Sequence, residues 1–355
     1  GLDLGALATV DTLSIALSPG FSISLPSLSE VGTATIGQEP FDHPFDASCA
    51  DAGCGGAAIE LPALASARNL ELECVDCAAD LGALGEVTHG FTARGGVRVD
   101  APVLSTVSTM LADRTGQALL DDVSHVAFET LTLHSPTDET ITLSGLDSVG
   151  LLEATHLGAD PDDFRVLDLP ALTSATEISL DYSTVEEVHA PLLSSLEVLE
   201  IRGAASFAVP DLPLLIEVDE LEWVNMYGAP PVTFDTLEHV GALRVSYSGV
   251  TPTFSALTRA DSLVVGVCRE TVSLPVVETM GEVSLAAGEV DPISAPLLTE
   301  IERLEIHSDD DATVLDTTSS LPMLATVTGT MLVDSVWDLT SLTMPSLTTI
   351  GGQLY

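Results

Sequence analysis

Apolar residues recur along the chain at fixed offsets. With Leu169 as position 1, Leu172, Ala175, Ile178 and Leu180 stand at positions 4, 7, 10 and 12, and Pro170 at position 2. The pattern restarts at Leu25, Leu61, Ala101, Ala190, Leu212, Phe234, Phe254, Leu274, Ala295, Leu321 and Met344, and more weakly at Leu4, Leu81, near Leu120 and at Leu143. From Leu169 onward the starts fall 20 to 26 residues apart, the signature of a solenoid. Positions 10 and 12 alternate with polar neighbours, which predicts a half-buried strand over positions 9 to 13. Positions 1, 4 and 7 predict a turn-rich arc with an inward side chain at each corner. Proline at position 2 cannot donate to a ladder and marks one of those corners.

One copy buries too few side chains to stand alone, so stacked copies must share a core. Strands of successive turns lie ~4.8 Å apart, and about 14 turns then make a rod of roughly 70 Å. The expected fold is all-β: a single continuous parallel β-solenoid over residues 1–355 with a 20–23-residue repeat. Residues 165–355 hold the regular repeats and residues 1–164 the less regular ones, with a cysteine-containing insertion at 37–60.

The "LPxLTSVxxLxI" cadence resembles that of receptor L-domain and related leucine-rich-repeat-like β-solenoids, a class that includes fungal cell-wall surface proteins and the ligand-binding domains of growth-factor receptors. The resemblance covers most of the chain and is best over 165–355. It implies a right-handed parallel solenoid at the cell surface, used for binding or wall organisation. The Gly-Gly that the family places before its strand survives only in "TTIGGQLY", and the family's cysteine-rich modules are absent.

Hydrophobic residues make up 46% of the chain but aromatics only 4%, so the core must be aliphatic. The 10 basic residues are all arginine and face 54 acidic ones, a net charge of −44. Lysine is absent and asparagine occurs only at Asn69 and Asn225, which points to a GC-rich bacterial genome; acid excess with lysine loss also fits a saline habitat. Such a charge repels nucleic-acid phosphates and anionic headgroups and leaves cations and basic proteins as electrostatic partners. No apolar run approaches the ~20 residues that span a bilayer. The start at Gly1, with neither Met nor a leader, reads as a processed or trimmed end.

Candidate chemistry is sparse. Cys49, Cys54, Cys74 and Cys77 form C-x4-C and C-x2-C pairs, spaced for zinc or for disulfides. A secreted context and the lack of nearby basic residues favour disulfides, with Cys49–Cys54 and Cys74–Cys77 as the expected pairing. Cys268 is left over and reads as a small buried apolar residue. Asp160, Asp162 and Asp163, and Asp309, Asp310, Asp311 and Asp316, fall in the two 26-residue repeats and read as acidic loops. Clustered loop carboxylates suit Ca²⁺, the one cofactor candidate; a solvated charge run is the alternative. Tyr182, Asn225 and Tyr247 share position 14, with Trp223 and Tyr227 close by; this concentration reads as a ligand patch or as caps on the core.

Position 11, read from Ser14 to Met331, is mixed and Glu-rich and predicts a solvated acidic face, without the regular threonine ladder of an ice-binding array. The eight histidines are scattered, and no Ser/His/Asp order, phosphate loop or dinucleotide motif occurs. The expectation is thus a non-catalytic, extracellular surface module for adhesion or protein-ligand binding. Its competitors are a surface-filament or envelope-layer subunit assembling through open solenoid ends and, more remotely, a polysaccharide-active β-helix enzyme.

Overall fold

The computed structural model describes residues 4–17, 22–38, 58–73, 77–95, 97–113, 125–155, 164–204, 207, 209–226, 232–266, 268, 270–287, 293–308, 314–316, 321–334 and 341–355. It is a parallel β-solenoid of about 12 turns, with no helix among these residues. The chain divides into two compact units, Gly1–Leu172 and Thr173–Tyr355.

Each unit repeats one cross-section. In Gly1–Leu172 the long strands are Thr9–Leu17, Glu30–Gln38, Ser66–Glu73, Glu86–Arg94, Thr106–Asp113, Ala127–His134 and Ser148–Thr155, paired in parallel from turn to turn. In Thr173–Tyr355 they are Ser174–Asp181, Ser195–Arg202, Glu217–Val224, His239–Ser246, Arg259–Val265, Thr279–Ala287 and Glu300–Ser308, followed by shorter pieces. Short strands such as Ala58–Glu60 and Ala78–Asp80, or Glu187–His189 and Val209–Asp211, build narrower parallel sheets ahead of position 1. The core lies between, as the pattern requires: Leu212, Leu215, Val218, Leu221 and Trp223 are all buried, at positions 1, 4, 7, 10 and 12 of one turn.

The corner at position 2 is a β-turn. Leu64 N–H donates to Leu61 O at 3.1 Å, Leu215 to Leu212 at 3.1 Å and Leu298 to Ala295 at 3.2 Å, which puts Pro62, Pro213 and Pro296 at the second turn residue, where a fixed φ costs nothing. The hydroxyl residues common at position 5 also have a job. Ser29 and Ser105 Oγ donate to the position-5 carbonyls of the preceding turns, Ala8 and Gly85, at 3.0 Å each, and Thr258 and Thr299 Oγ1 do the same to Glu238 and Glu278.

Two register shifts depart from the template. Gly90 pairs with Asn69 although Val87 pairs with Ala67, so one extra residue bulges at Thr88–His89. Phe91 and Ala93 then face inward, which explains the weak match from Leu81. In the Leu321 turn Val327 pairs with Ile301, but Met331 pairs with Leu304. Met331 is therefore buried, and its place in the outward row is corrected: an extra residue within 328–330 moves it to an inward slot.

Position 8 brings backbones close. A Cβ built on Gly281 would lie 2.2 Å from the carbonyl oxygen of Asp261. Backbone cannot yield as a side chain can, so Gly281→Ala is expected to destabilise by about 1–3 kcal/mol, read as a lower urea midpoint with an unchanged slope.

Candidate binding face

The outward face of the long strands differs between the two units. In Gly1–Leu172 it is rich in threonine: Thr12, Thr33, Thr109 and Thr130 at position 9, and Thr35, Thr92 and Thr132 in the next outward column. Some of these hydroxyls are engaged, Thr35 with Glu71 at 3.4 Å and Thr132 with Glu153 at 3.2 Å. Beside them Arg94 lies 3.3 Å from Glu71 and 3.7 Å from Asp113, and His134 Nδ1 lies 2.9 Å from Asp113.

In Thr173–Tyr355 the same face is ionic. Ser179, Glu200, Glu222 and Arg244 stand in register on successive strands, flanked by Asp181, Arg202, Val224 and Ser246. Arg202 joins two carboxylates: its Nε is 2.5 Å from Glu200 Oε1 and donates to Glu222 Oε2 at 3.0 Å, and its Nη2 also bonds Glu222. The expected solvated acidic face is thus partly closed over, since the side chains of Glu200 and Glu222 are only 15% and 12% exposed. Burial raises the pKa of Glu200. Arg202 opposes that shift, while Glu222, Glu177 and Asp181 add to it. The Glu222 hydrogen bond raises that of Arg202 further above its usual value.

A raised folded-state pKa means that ionising Glu200 costs folding energy. The stability it contributes is present below the ordinary glutamate range and lost as pH rises through the folded value. Glu200→Gln is therefore expected to stabilise slightly at neutral pH, by less than about 1 kcal/mol because Arg202 keeps Glu222. The gain should vanish below about pH 4, where both side chains are neutral. Thermal melts of both proteins between pH 3 and 8 check this.

Six of the long strands are followed by a left-handed residue at position 14, whereas Leu17, Gln38, Ala287 and Ser308 at the same position continue their strands. Gly95, Ser135, Tyr182, Gly203, Asn225 and Tyr247 all have φ between 47 and 79°. Several donate N–H to the last strand residue of the next turn, Tyr182 to Arg202 at 2.7 Å, Gly203 to Val224 at 2.9 Å and Asn225 to Ser246 at 3.1 Å. Glycine and asparagine suit this conformation, whereas tyrosine is held there at a cost of about 1–2 kcal/mol. Tyr182 and Tyr247 are nevertheless 58% and 49% exposed.

The structure therefore divides the aromatic group. Tyr182, Asn225 and Tyr247 share one surface column. Trp223 is corrected to the core: it occupies inward position 12, is fully buried, and donates Nε1–H to Val250 O at 3.0 Å. It meets Phe207 and Phe234 edge-on at 6.0 and 6.4 Å, and Phe234 stacks on Phe254 at 5.3 Å. Tyr227 lies outside the described residues.

So do Cys49, Cys54 and Cys74, and Asp160, Asp162, Asp163, Asp309, Asp310 and Asp311. Asp316 ends the strand Val314–Asp316 and so does not belong to a loop. Cys77 is buried, and Cys268 is the free cysteine among the described residues. Cys268 is half-buried, with Sγ 3.9 Å from Val245 O, and burial raises its thiol pKa, which keeps it protonated and unreactive. Among the described residues no group of three or more His, Cys, Asp and Glu is placed to hold a metal ion.

A hollow of about 560 Å³ lies beside Arg259, Asp261, Gly281, Glu300 and Glu302; it is shallow and open. Among the described residues no helix is long and apolar enough to cross a membrane. Compared with known proteins, the chain matches no protein family, no curated protein and no solved structure.

Proposed function

We propose that the chain is a non-catalytic recognition module of the extracellular, cell-surface kind, used in adhesion or protein binding as receptor L-domain-like and leucine-rich-repeat-like solenoids are. Its recognition face is the ionic face of Thr173–Tyr355 between Tyr182 and Tyr247. One observation carries this reading: two exposed tyrosines occupy left-handed positions that neighbouring turns fill with Gly203 and Asn225. Backbone cost borne by a half-exposed ring, where glycine or asparagine would avoid it, is what a binding site leaves behind.

The test separates folding from binding. Tyr182→Gly/Tyr247→Gly is expected to keep or raise stability, by up to about 1 kcal/mol, since glycine fits φ > 0 but gives back part of the gain as chain entropy. The variant should also lose the ligands that the parent retains on peptide and glycan arrays. Ligands held equally by both proteins would put recognition elsewhere and overturn the reading. A GC-rich bacterial source and the pairing Cys49–Cys54 with Cys74–Cys77 belong to the same proposal. Intact mass before and after reduction and alkylation counts the disulfides, with four thiols released and Cys268 free throughout, and peptide mapping of the unreduced protein checks the pairing.

A further inference from the structure

Resting on that reading, we infer that the occupant of the face is an extended basic segment of a partner protein, with a cationic side chain on the Tyr182 ring and an uncharged one at Tyr247. The Tyr182 ring is seated on the next turn. A Cβ built on Gly203 would lie 2.6 Å from its Cδ1 and 2.8 Å from its Cε1, so the ring rests against that glycine while the residue as a whole stays 58% exposed. A ring fixed on one side and open on the other is a stacking platform.

The groups around it want donors. Asp181 precedes Tyr182, and its Oδ1 is buried and accepts no hydrogen bond. Ser183 follows, 4% exposed, with its Oγ likewise unpartnered. Glu177, Glu200 and Glu222 add three carboxylates; Arg202 bridges the last two, and Arg244 stands in register beside Glu222. A guanidinium or ammonium supplies donors and no acceptor, and a cation within ~6 Å of a tyrosine face is attracted to it.

The other end differs in charge. On the Tyr247 strand the same columns hold Ala242, Arg244 and Ser246, whose buried Oγ is also unpartnered, and Val224 stands across from Ser246. Arg244 there disfavours a second cation and leaves Tyr247 to an uncharged side chain. Three turn spacings separate the tyrosines, ~14 Å, and an extended chain covers that in about four residues. The partner residues are thus i and i+4. The net charge of −44 disfavours acidic partners.

Fluorescence anisotropy with labelled 12-residue peptides tests this. The peptides share one Ser/Gly-rich composition and carry one Arg and one Leu, either at i and i+4 or adjacent. The i,i+4 peptide is expected to bind about tenfold tighter than its isomer. Tyr182→Gly, and Gly203→Ala, which pushes the ring aside, should each remove that preference, and Asp181→Asn should weaken binding several-fold. Equal binding of the two isomers, or undiminished binding by Tyr182→Gly, would mean bulk attraction to an acidic protein and would overturn the inference. A neutral oligosaccharide bound in a tyrosine-dependent way, with the peptides unbound, would leave the face standing and refute the basic occupant. No tyrosine-dependent ligand of either kind would remove both.

Discussion

Trp223→Ala is expected to lower the unfolding free energy of the Thr173–Tyr355 unit by about 3–5 kcal/mol. Three effects add. The side chain is fully buried in a close-packed core, so its removal leaves a cavity that the surrounding side chains fill only in part. Its edge-on contacts with Phe207 and Phe234 are lost, at about 0.5–1.5 kcal/mol each beyond burial. The carbonyl of Val250 loses its indole donor. Trp223→Phe keeps most of the volume and should cost only about 1–3 kcal/mol, chiefly through that unpaired carbonyl. In a stacked array each turn contacts its neighbours, so loss at one turn weakens the turns on both sides. Urea titration followed by circular dichroism reads both variants. A loss below about 1 kcal/mol for the alanine variant would contradict a buried aromatic stack.

Much of this architecture is legible in the spacing alone. Positions 1, 4, 7, 10 and 12 are inward wherever the strand keeps its register, and Pro62, Pro170 and Pro213 mark turns because a proline N cannot join a ladder. The same template, applied strictly, also assigns Trp223 to the core. Grouping it with Tyr182 and Tyr247 followed residue type rather than position. The bulges at Thr88–His89 and within 328–330 were not legible. One extra residue exchanges inward and outward faces downstream, and small apolar residues such as Ala93 fit either face. The left-handed column was half legible. Gly95, Gly203 and Asn225 announce it, but Tyr182 and Tyr247 conceal it, because tyrosine has no preference for positive φ. That concealment is what makes the two tyrosines informative: local preference and observed conformation disagree there, and the proposed recognition face rests on that disagreement.

The whole chain should be stabilised strongly by salt. Its 54 carboxylates face 10 arginines, so folding gathers a net charge of −44 that the unfolded chain spreads out. The pairs formed, Arg202 with Glu200 and Glu222 or Arg94 with Glu71 and Asp113, consume few of those carboxylates. The screening length falls from about 30 Å at 0.01 M to about 3 Å at 1 M salt. At the low end a charge feels several turns of the solenoid, and at the high end less than the ~4.8 Å to the next turn. Each kcal/mol of repulsion removed raises the melting temperature by about 2–4 °C for a unit of this size. A rise of about 10 °C between 0.05 and 1 M NaCl therefore asks for only a few kcal/mol spread over all the carboxylates. Calcium chloride at matched ionic strength divides the effect: equal melting temperatures assign it to screening, and a further rise at millimolar Ca²⁺ assigns part of it to bound cation. A flat response to both salts would mean that the carboxylates stand too far apart, or too well hydrated, to oppose folding.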